Sequence, residues 1–332
     1  MGSVWISIPE YNQPEDNNLS SGYSVLKSSI GGIDNYSNVN TYKYTTKFNT
    51  NSDSVSAYLK DLSFWFMDYI DVFQDPEEVE SVEGYPQGLC FTEDYMLVTF
   101  YTKEKEIPGQ LKVFDRTTGL CVLILGMDGD SHLGGIAYDG ENVWVCNSAK
   151  MTLEKFPYEK LVSMVEENYG QFVDITSMVQ SYSVKNVPSC ITYYDNALWV
   201  GTHTLSPSSS LIKYVFNKGA NNLISAASYK APSKVQGVSF DEDGAIYLSI
   251  SYGRKTSSFM KKYASVEAMT ENIDEVDIII EMPPCSEGIV WEKEKIYVLF
   301  ESAAKKYLKG TDGNGTSIAP LDRILVIDLT TT

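Results

Sequence analysis

Hydrophobic and polar positions alternate along most of this chain in short runs, and five of those runs follow one order. Each opens on a small residue and an aliphatic, passes an aromatic or apolar position and a polar turn, and closes on a β-branched or aromatic stretch. They are Gly88–Phe100 (GLCFTEDYMLVTF), Gly135–Val145 (GIAYDGENVWV), Cys190–Val200 (CITYYDNALWV), Gly237–Ser249 (GVSFDEDGAIYLS) and Gly288–Val298 (GIVWEKEKIYV). Each reads as a β-hairpin, with Asp-Gly, Asp-Asn or Glu-Lys at the turn. Successive starts lie 47, 55, 47 and 51 residues apart. Further strand-like runs fill the gaps: Gln110–Phe114 and Leu120–Leu125, Leu211–Phe216 and Ser225–Tyr229, Phe259–Tyr263 and Val276–Ile280.

Four strands per period of about 50 residues is the signature of a propeller blade. The expected fold is all-β, a five-bladed β-propeller with four-stranded antiparallel blades. Tandem β-sandwiches would not repeat one hairpin so regularly. The last repeat ends on a single outer strand, Asp322–Leu329, so its blade lacks a fourth. A closed ring leaves no unpaired edge, and an N-terminal segment is expected to supply the missing strand. Thr41–Phe48, alternating and β-prone, is the segment chosen. Residues 1–35 read as coil. Asp53–Phe73 carries Val55, Leu59, Leu62, Phe66, Ile70 and Phe73 at helical spacing, which predicts a helix. Small helical insertions are expected at 158–168 and 265–273. Residues 1–80 thus form an N-terminal extension, and 81–332 the propeller that shares its domain.

Charge narrows the partners. The 26 Lys and Arg stand against 44 Asp and Glu, a net −18. Nucleic acids bind by exchanging counterions for basic side chains, so this balance argues against them and against an anionic membrane. No apolar run approaches the ~18 residues of a membrane span. Five widely spaced cysteines, with no CxxC, read as buried thiols rather than a disulfide framework. The N-terminus shows no positive n-region, and Met1-Gly2-Ser3 leaves the compartment open: extracellular or cell-surface if a signal was removed, otherwise cytoplasmic. A monomer is expected, with no cofactor.

In a propeller the loops before each innermost strand and after each second strand open onto one face. Sorting residues by register assigns Pro86-Gln87, Ser131–Gly134, Pro188-Ser189, Val235-Gln236 and Ser286-Glu287 to the first set. The second set holds Tyr101-Thr102, Asn147-Ser148, Thr202-His203, Ser251–Arg254 and Glu301-Ser302. Both histidines of the chain, His132 and His203, fall here, which supports a polar pocket. Glu287 and Glu301 start and end one hairpin, and two carboxyls sharing a partly desolvated site are driven to different pKa values, as acid–base chemistry requires. Arg254 and Lys305 can equally tie them into an ion-pair network. Gln87, His132, Asn147, His203, Gln236, Tyr252 and Arg254 are the candidate ligand-binding residues; Gln87 and Gln236 have a second reading, in which they satisfy backbone groups around the channel. No metal site is assigned. The run Asp128–His132 lacks the remaining spacing of a calcium loop, and Asp312–Thr316 has Ser317 and Arg323 where such a loop needs Gly and Glu.

Glu287-Gly-Ile-Val-Trp291, followed by Ile296–Ser302 and Tyr307, resembles the final hairpin of plant-type glutaminyl cyclotransferases. That resemblance implies a five-bladed propeller in which Glu301 is catalytic. Glu287 replaces that family's Gln, and Ala-Ala-Lys-Lys follows Ser302 where the family has a Gly-containing loop. Over nearly the whole chain from Gly84, the five repeats look more like an uncharacterised bacterial propeller family, many of its members secreted, which implies no activity. The expected function is therefore binding of a small or peptide-like polar ligand at one mouth, with Glu301 as general acid–base if the site is catalytic. Glu287, His203 and Arg254 would then position the substrate. Cyclisation of N-terminal glutamine is the alternative, and a protein-interaction platform built on rim aromatics the third reading.

Overall fold

Each repeat folds as the hairpin its alternation predicts, and further strands extend it outward. The computed structural model describes residues 63–66, 71–75, 78–103, 107–117, 121–302, 304–317 and 323–329. Five antiparallel sheets follow in chain order. The first blade runs Tyr85–Phe91, Tyr95–Tyr101, Gly109–Asp115 and Cys121–Met127; the second runs Ile136–Tyr138, Asn142–Asn147, Thr152–Pro157 and Gln180–Ser183. The third is Cys190–Tyr194, Ala197–Gly201, Ser208–Asn217 and Asn222–Pro232, and the fourth Val235–Phe240, Ile246–Ile250, Ser258–Tyr263 and Ile278–Met282. The fifth holds Ser286–Glu292, Lys295–Phe300 and Arg323–Asp328. The molecule is a five-bladed β-propeller.

The fifth blade is completed from the N-terminal side, but by Ser63–Phe66, which pairs antiparallel with Arg323–Asp328 (Ser63 opposite Val326, Phe66 opposite Arg323). The strand expected at Thr41–Phe48 lies outside the described residues. The helix expected over Asp53–Phe73 is overturned where it is described: Ser63–Phe66 and Asp71–Asp75 are strands, the latter paired with Glu78–Glu83. A run of Ser, Phe, Trp and Phe suits a pleated surface, and an unpaired blade edge offers it a full ladder; that tertiary partner outweighs the helical spacing.

Both helical insertions are present. Tyr158–Glu167 buries Leu161 and Val165, and Val266–Glu271 starts at Ser265, whose hydroxyl accepts from the Ala268 N–H at 3.1 Å. The first insertion has a further consequence: after it, Phe172–Asp174 adds to the first blade as a fifth strand, parallel to Cys121–Met127. The core lies between blades. Tyr247, Met260 and Ile280 of the fourth blade, for example, pack on Ile289, Val298 and Phe300 of the fifth.

The small residue that opens each repeat has a physical cause at the axis. The innermost strands of neighbouring blades touch backbone to backbone. A β-carbon on Gly288 would lie 2.7 Å from the Leu89 nitrogen, one on Gly88 2.9 Å from the Gly135 backbone, and one on Gly135 2.7 Å from the Ile191 nitrogen. On Gly237 it would lie 2.8 Å from the Ile289 nitrogen. The third repeat has Cys190 instead, and Gly201 across the hairpin makes room for its sulfur. G288A is therefore expected to cost about 1–3 kcal/mol as an overpacked contact against backbone, while G219A, whose β-carbon would meet only the Asn217 side chain at 3.4 Å, stays within about 0.5 kcal/mol. Urea unfolding midpoints decide this, and equal midpoints for the two variants would refute it.

Candidate functional site

Three innermost strands carry a register shift at the same place: Pro86 to Leu89, Val235 to Gly237 and Ser286 to Ile289. The residues released from the ladder are Gln87 with Gly88, Gln236, and Glu287 with Gly288. A bulge leaves its extra residue unpaired and re-aims its side chain. These bulges bring the three longest polar side chains at this level into one mouth, while the equivalent positions of the second and third blades are Gly134 and Ser189.

Glu301 arrives from the other direction, directly after the second strand of the fifth blade, with its N–H donating to the Cys285 carbonyl at 3.0 Å. Its carboxylate accepts from Gln87 Nε2 at 3.2 Å and from the Tyr307 hydroxyl. Gln236 Nε2 donates to Glu287 Oε1 at 3.2 Å, and Glu287 is within hydrogen-bonding reach of Glu301. Glu287 is only 3% exposed and Glu301 8%. Burial raises both carboxyls above their ordinary value. Glu287 goes far higher, because the Glu301 charge adds to its desolvation. On Glu301 the nearby Lys306 ammonium and the Tyr307 and Gln87 donors work against burial, favouring the charged form. Of the two, Glu287 is therefore the carboxyl pushed further toward its protonated form.

Aromatic rings wall this site. Tyr85 stacks on Tyr101 with centroids 4.7 Å apart and meets Tyr307 edge-on at 6.3 Å. His132 lies on Tyr101 at 4.4 Å. Burial, seconded by Lys306, pushes the His132 pKa down, so its ring is neutral near pH 7. Burial also raises the Tyr307 phenol, with the Glu301 charge second, which keeps it a donor.

The structure brings Glu287, Glu301, Gln87 and Gln236 together, with His132 at their edge. It places Asn147, His203 and Tyr252 elsewhere, and Arg254 behind the Tyr307 wall, from where its charge acts on Glu301. Arg254 is spent on the 304–317 turn: its guanidinium grips Asp312 with two bonds of 2.9 and 2.7 Å, donates to the Lys306 and Gly315 carbonyls, and lies 4.8 Å from the Tyr307 ring centre. His203 faces the Ser251 carbonyl between the third and fourth blades, its pKa lowered by burial and then by Lys234. Tyr252 is 51% exposed beneath the Lys234 ammonium. Asn147 belongs to a local network, donating to Asp128 at 2.8 Å and Glu154 at 2.7 Å. Lys306, next to the Lys305 singled out by sequence, brings an ammonium charge to bear on both carboxyls. Tyr101 was assigned to this face by register but not chosen as a ligand-binding residue, and Tyr85 was missed; strand alternation back from Gln87 to Tyr85 was the available signal.

The axial cavity at the far end of the channel, about 180 Å³, is lined by the outgoing ends of all five innermost strands. The carboxylate on its wall, Glu292, is paired with Arg116. Among the described residues no group of three or more His, Cys, Asp or Glu side chains is disposed to hold a metal ion.

The class defined by this geometry is a five-bladed β-propeller with a buried carboxyl pair at one mouth. No protein-family model matches the chain, and neither does any curated protein. Among solved structures it is similar to Myxococcus xanthus glutaminyl cyclase, at 14% identity and TM-score 0.40 over 73% of this chain and 90% of that one. It is similar also to the PQQ-bound aldose sugar dehydrogenase of Streptomyces coelicolor, at 13% and 0.44 over 80% and 98%. Kuenenia stuttgartiensis hydrazine synthase is matched at 11% and 0.39 over 64% of this chain; the chain spans 55% of that one. At these identities and scores none of the three bears on what the site does.

The carboxyl pair has a measurable signature. A carboxyl raised in the folded state makes that state bind more protons than the unfolded chain. Stability is therefore lost as pH rises from the ordinary value of 4.5 through the folded value. Glu287→Gln removes this term, so its unfolding midpoint should gain on the wild type between about pH 5.5 and pH 8. A constant difference across that range would show that Glu287 does not hold a raised proton.

Proposed function

We propose that this mouth binds a small or peptide-like polar ligand and transfers a proton on it, with Glu301 as the base and Glu287 as the paired acid. The observation that carries this reading is the unequal support of the two carboxyls. Glu301 accepts from Gln87 and Tyr307, while Glu287 receives only the Gln236 amide among the bonds described. Two adjacent groups in opposite protonation states are what acid–base catalysis needs near neutral pH. Gln87 and Gln236 hold the pair in place through one of their two amide hydrogens, and the bulges that present them belong to the rigid inner ring.

The same pair favours one second reading, cyclisation of an N-terminal glutamine. There the free amine attacks the side-chain amide carbon, Glu301 takes the proton released from the attacking nitrogen, and Glu287 gives its proton to the departing ammonia. One C–N bond forms and one breaks, with no redox partner needed. The likeness of the Glu287–Trp291 and Ile296–Ser302 hairpin to plant-type glutaminyl cyclotransferases supports this reading, and Glu287 in place of Gln stands against it.

Incubating the protein with a glutamine-initiated peptide and assaying ammonia separates the two. Release by the wild type, reduced about 10²–10⁴-fold in Glu301→Gln, supports cyclisation; no release removes it. The broader reading is tested by thermal-shift screening of polar small molecules and short peptides. Its expected result is a ligand that stabilises the wild type and not Glu301→Gln. A screen in which every active compound stabilises both proteins equally would overturn the assignment of Glu301.

A further inference from the structure

Lys306 is an unusual component of this mouth. Its residue is 6% exposed, and a buried ammonium is costly unless its surroundings replace water. Here the surroundings do. Nζ lies 3.9 Å from the ring centre of Tyr85, 4.3 Å from that of Tyr307 and 5.6 Å from that of Tyr101, and it donates to the Tyr101 hydroxyl at 3.0 Å. Negative ring faces around an ammonium form the aromatic cage that proteins use for alkylammonium ligands. The two carboxyls complete the chamber: the Lys306 charge acts on both Glu287 and Glu301.

The walls and the occupant have different mechanical standing. Tyr85 and Tyr101 are paired residues of the first blade's two inner strands, and Tyr307 is tied to Glu301. Lys306 comes from the short helix Lys305–Leu308 that follows the second strand of the fifth blade, outside every sheet. The backbone of the 304–317 turn is fastened by Arg254 to the Lys306 and Gly315 carbonyls and by the Ser317 N–H to the Tyr307 carbonyl. Those fasteners hold the backbone, while the bonds described for the lysine side chain run to the aromatic cage itself, through the three rings and the Tyr101 hydroxyl.

We propose that the chamber of Tyr85, Tyr101 and Tyr307 beside Glu287 and Glu301 is a recognition site for a ligand's alkylammonium group, held by the Lys306 ammonium until such a ligand displaces it. This rests on reading the mouth as a ligand site and adds the chemical class of the ligand, a cationic amine. Two consequences follow. The ligand's charge replaces that of Lys306, so the carboxyl pair keeps a counter-charge that favours the charged form of Glu301. Affinity in the wild type is reduced by the fraction of time the lysine occupies the cage.

Two measurements test this. Lys306→Ala leaves a cage with a lysine-shaped space. n-Butylammonium should then raise the melting temperature of that variant by several degrees at millimolar concentrations, while n-butanol and butyrate at the same concentration do not. Wild type should respond at least severalfold more weakly, because its own lysine competes. An equal response to n-butanol, or none to n-butylammonium in a folded variant, would show that the chamber does not select a cation. The second measurement uses the wild type, so it stands even if Lys306→Ala does not fold. Acetylation of Lys306 by acetic anhydride, followed by mass spectrometry, should rise severalfold in tetramethylammonium chloride over equal sodium chloride as the quaternary cation takes the cage. An unchanged rate at Lys306 would overturn displacement. Neither readout depends on turnover or on substitution of Glu301. A positive result with no Glu301-dependent ligand would leave the cation site standing without proton transfer, and the converse would remove the cation site alone.

Discussion

The contact on which this molecule depends is the backbone approach of five innermost strands around one axis. At distances where a single β-carbon would fall 2.7–2.9 Å from a neighbour's backbone, four of the five strands carry glycine and the fifth cysteine. The same crowding accompanies the bulges, which sit one step before or at those glycines in the first, fourth and fifth blades. A strand that must stay thin at one position releases its neighbouring residue from the ladder, and that residue is Gln87, Gln236 or Glu287. The mouth's chemistry is in this sense a by-product of closing the ring.

Charge in the mouth is balanced locally rather than borrowed from the surface. The chain carries a net −18, yet the carboxyl pair sits beneath a lysine, an arginine-pinned turn and three tyrosines. In a desolvated setting two adjacent carboxyls cannot both ionise cheaply, so the asymmetry of their donors decides which one does. That asymmetry comes from three separate parts of the chain: Gln87 from the first blade, Gln236 from the fourth and Tyr307 from the turn beyond Glu301. The far end of the channel has open space but its carboxylate is neutralised by Arg116, so the two mouths differ in chemistry.

Legibility divided along the same line. Hairpins were readable because period-2 alternation and turn residues are local, and their spacing of about 50 residues placed Glu287 and Glu301 at one opening. Both helical insertions expected from sequence were readable for a similar reason, through spacing and, at Ser265, a capping hydroxyl. The extension misled: Phe66 and Phe73 fit a helical stripe, but Ser63–Phe66 is a strand because a distant edge, Arg323–Asp328, needed a partner. The parallel strand Phe172–Asp174 was missed on the same ground. Register also over-collected. Asn147, His203 and Tyr252 share loop positions with Glu301, but their side chains serve local networks or face solvent.

From sequence alone came the number of blades, the hairpin that opens each, and the loops expected to share a face, because these follow from short-range patterning repeated along the chain. Tertiary structure decided which of those loop residues meet, which carboxyl is pushed further toward its protonated form, and that Lys306 enters the cage. Those outcomes depend on side-chain direction and desolvation, which arise from contacts between residues far apart in the chain, such as Gln87 and Glu301, 214 positions apart, and no local pattern encodes them.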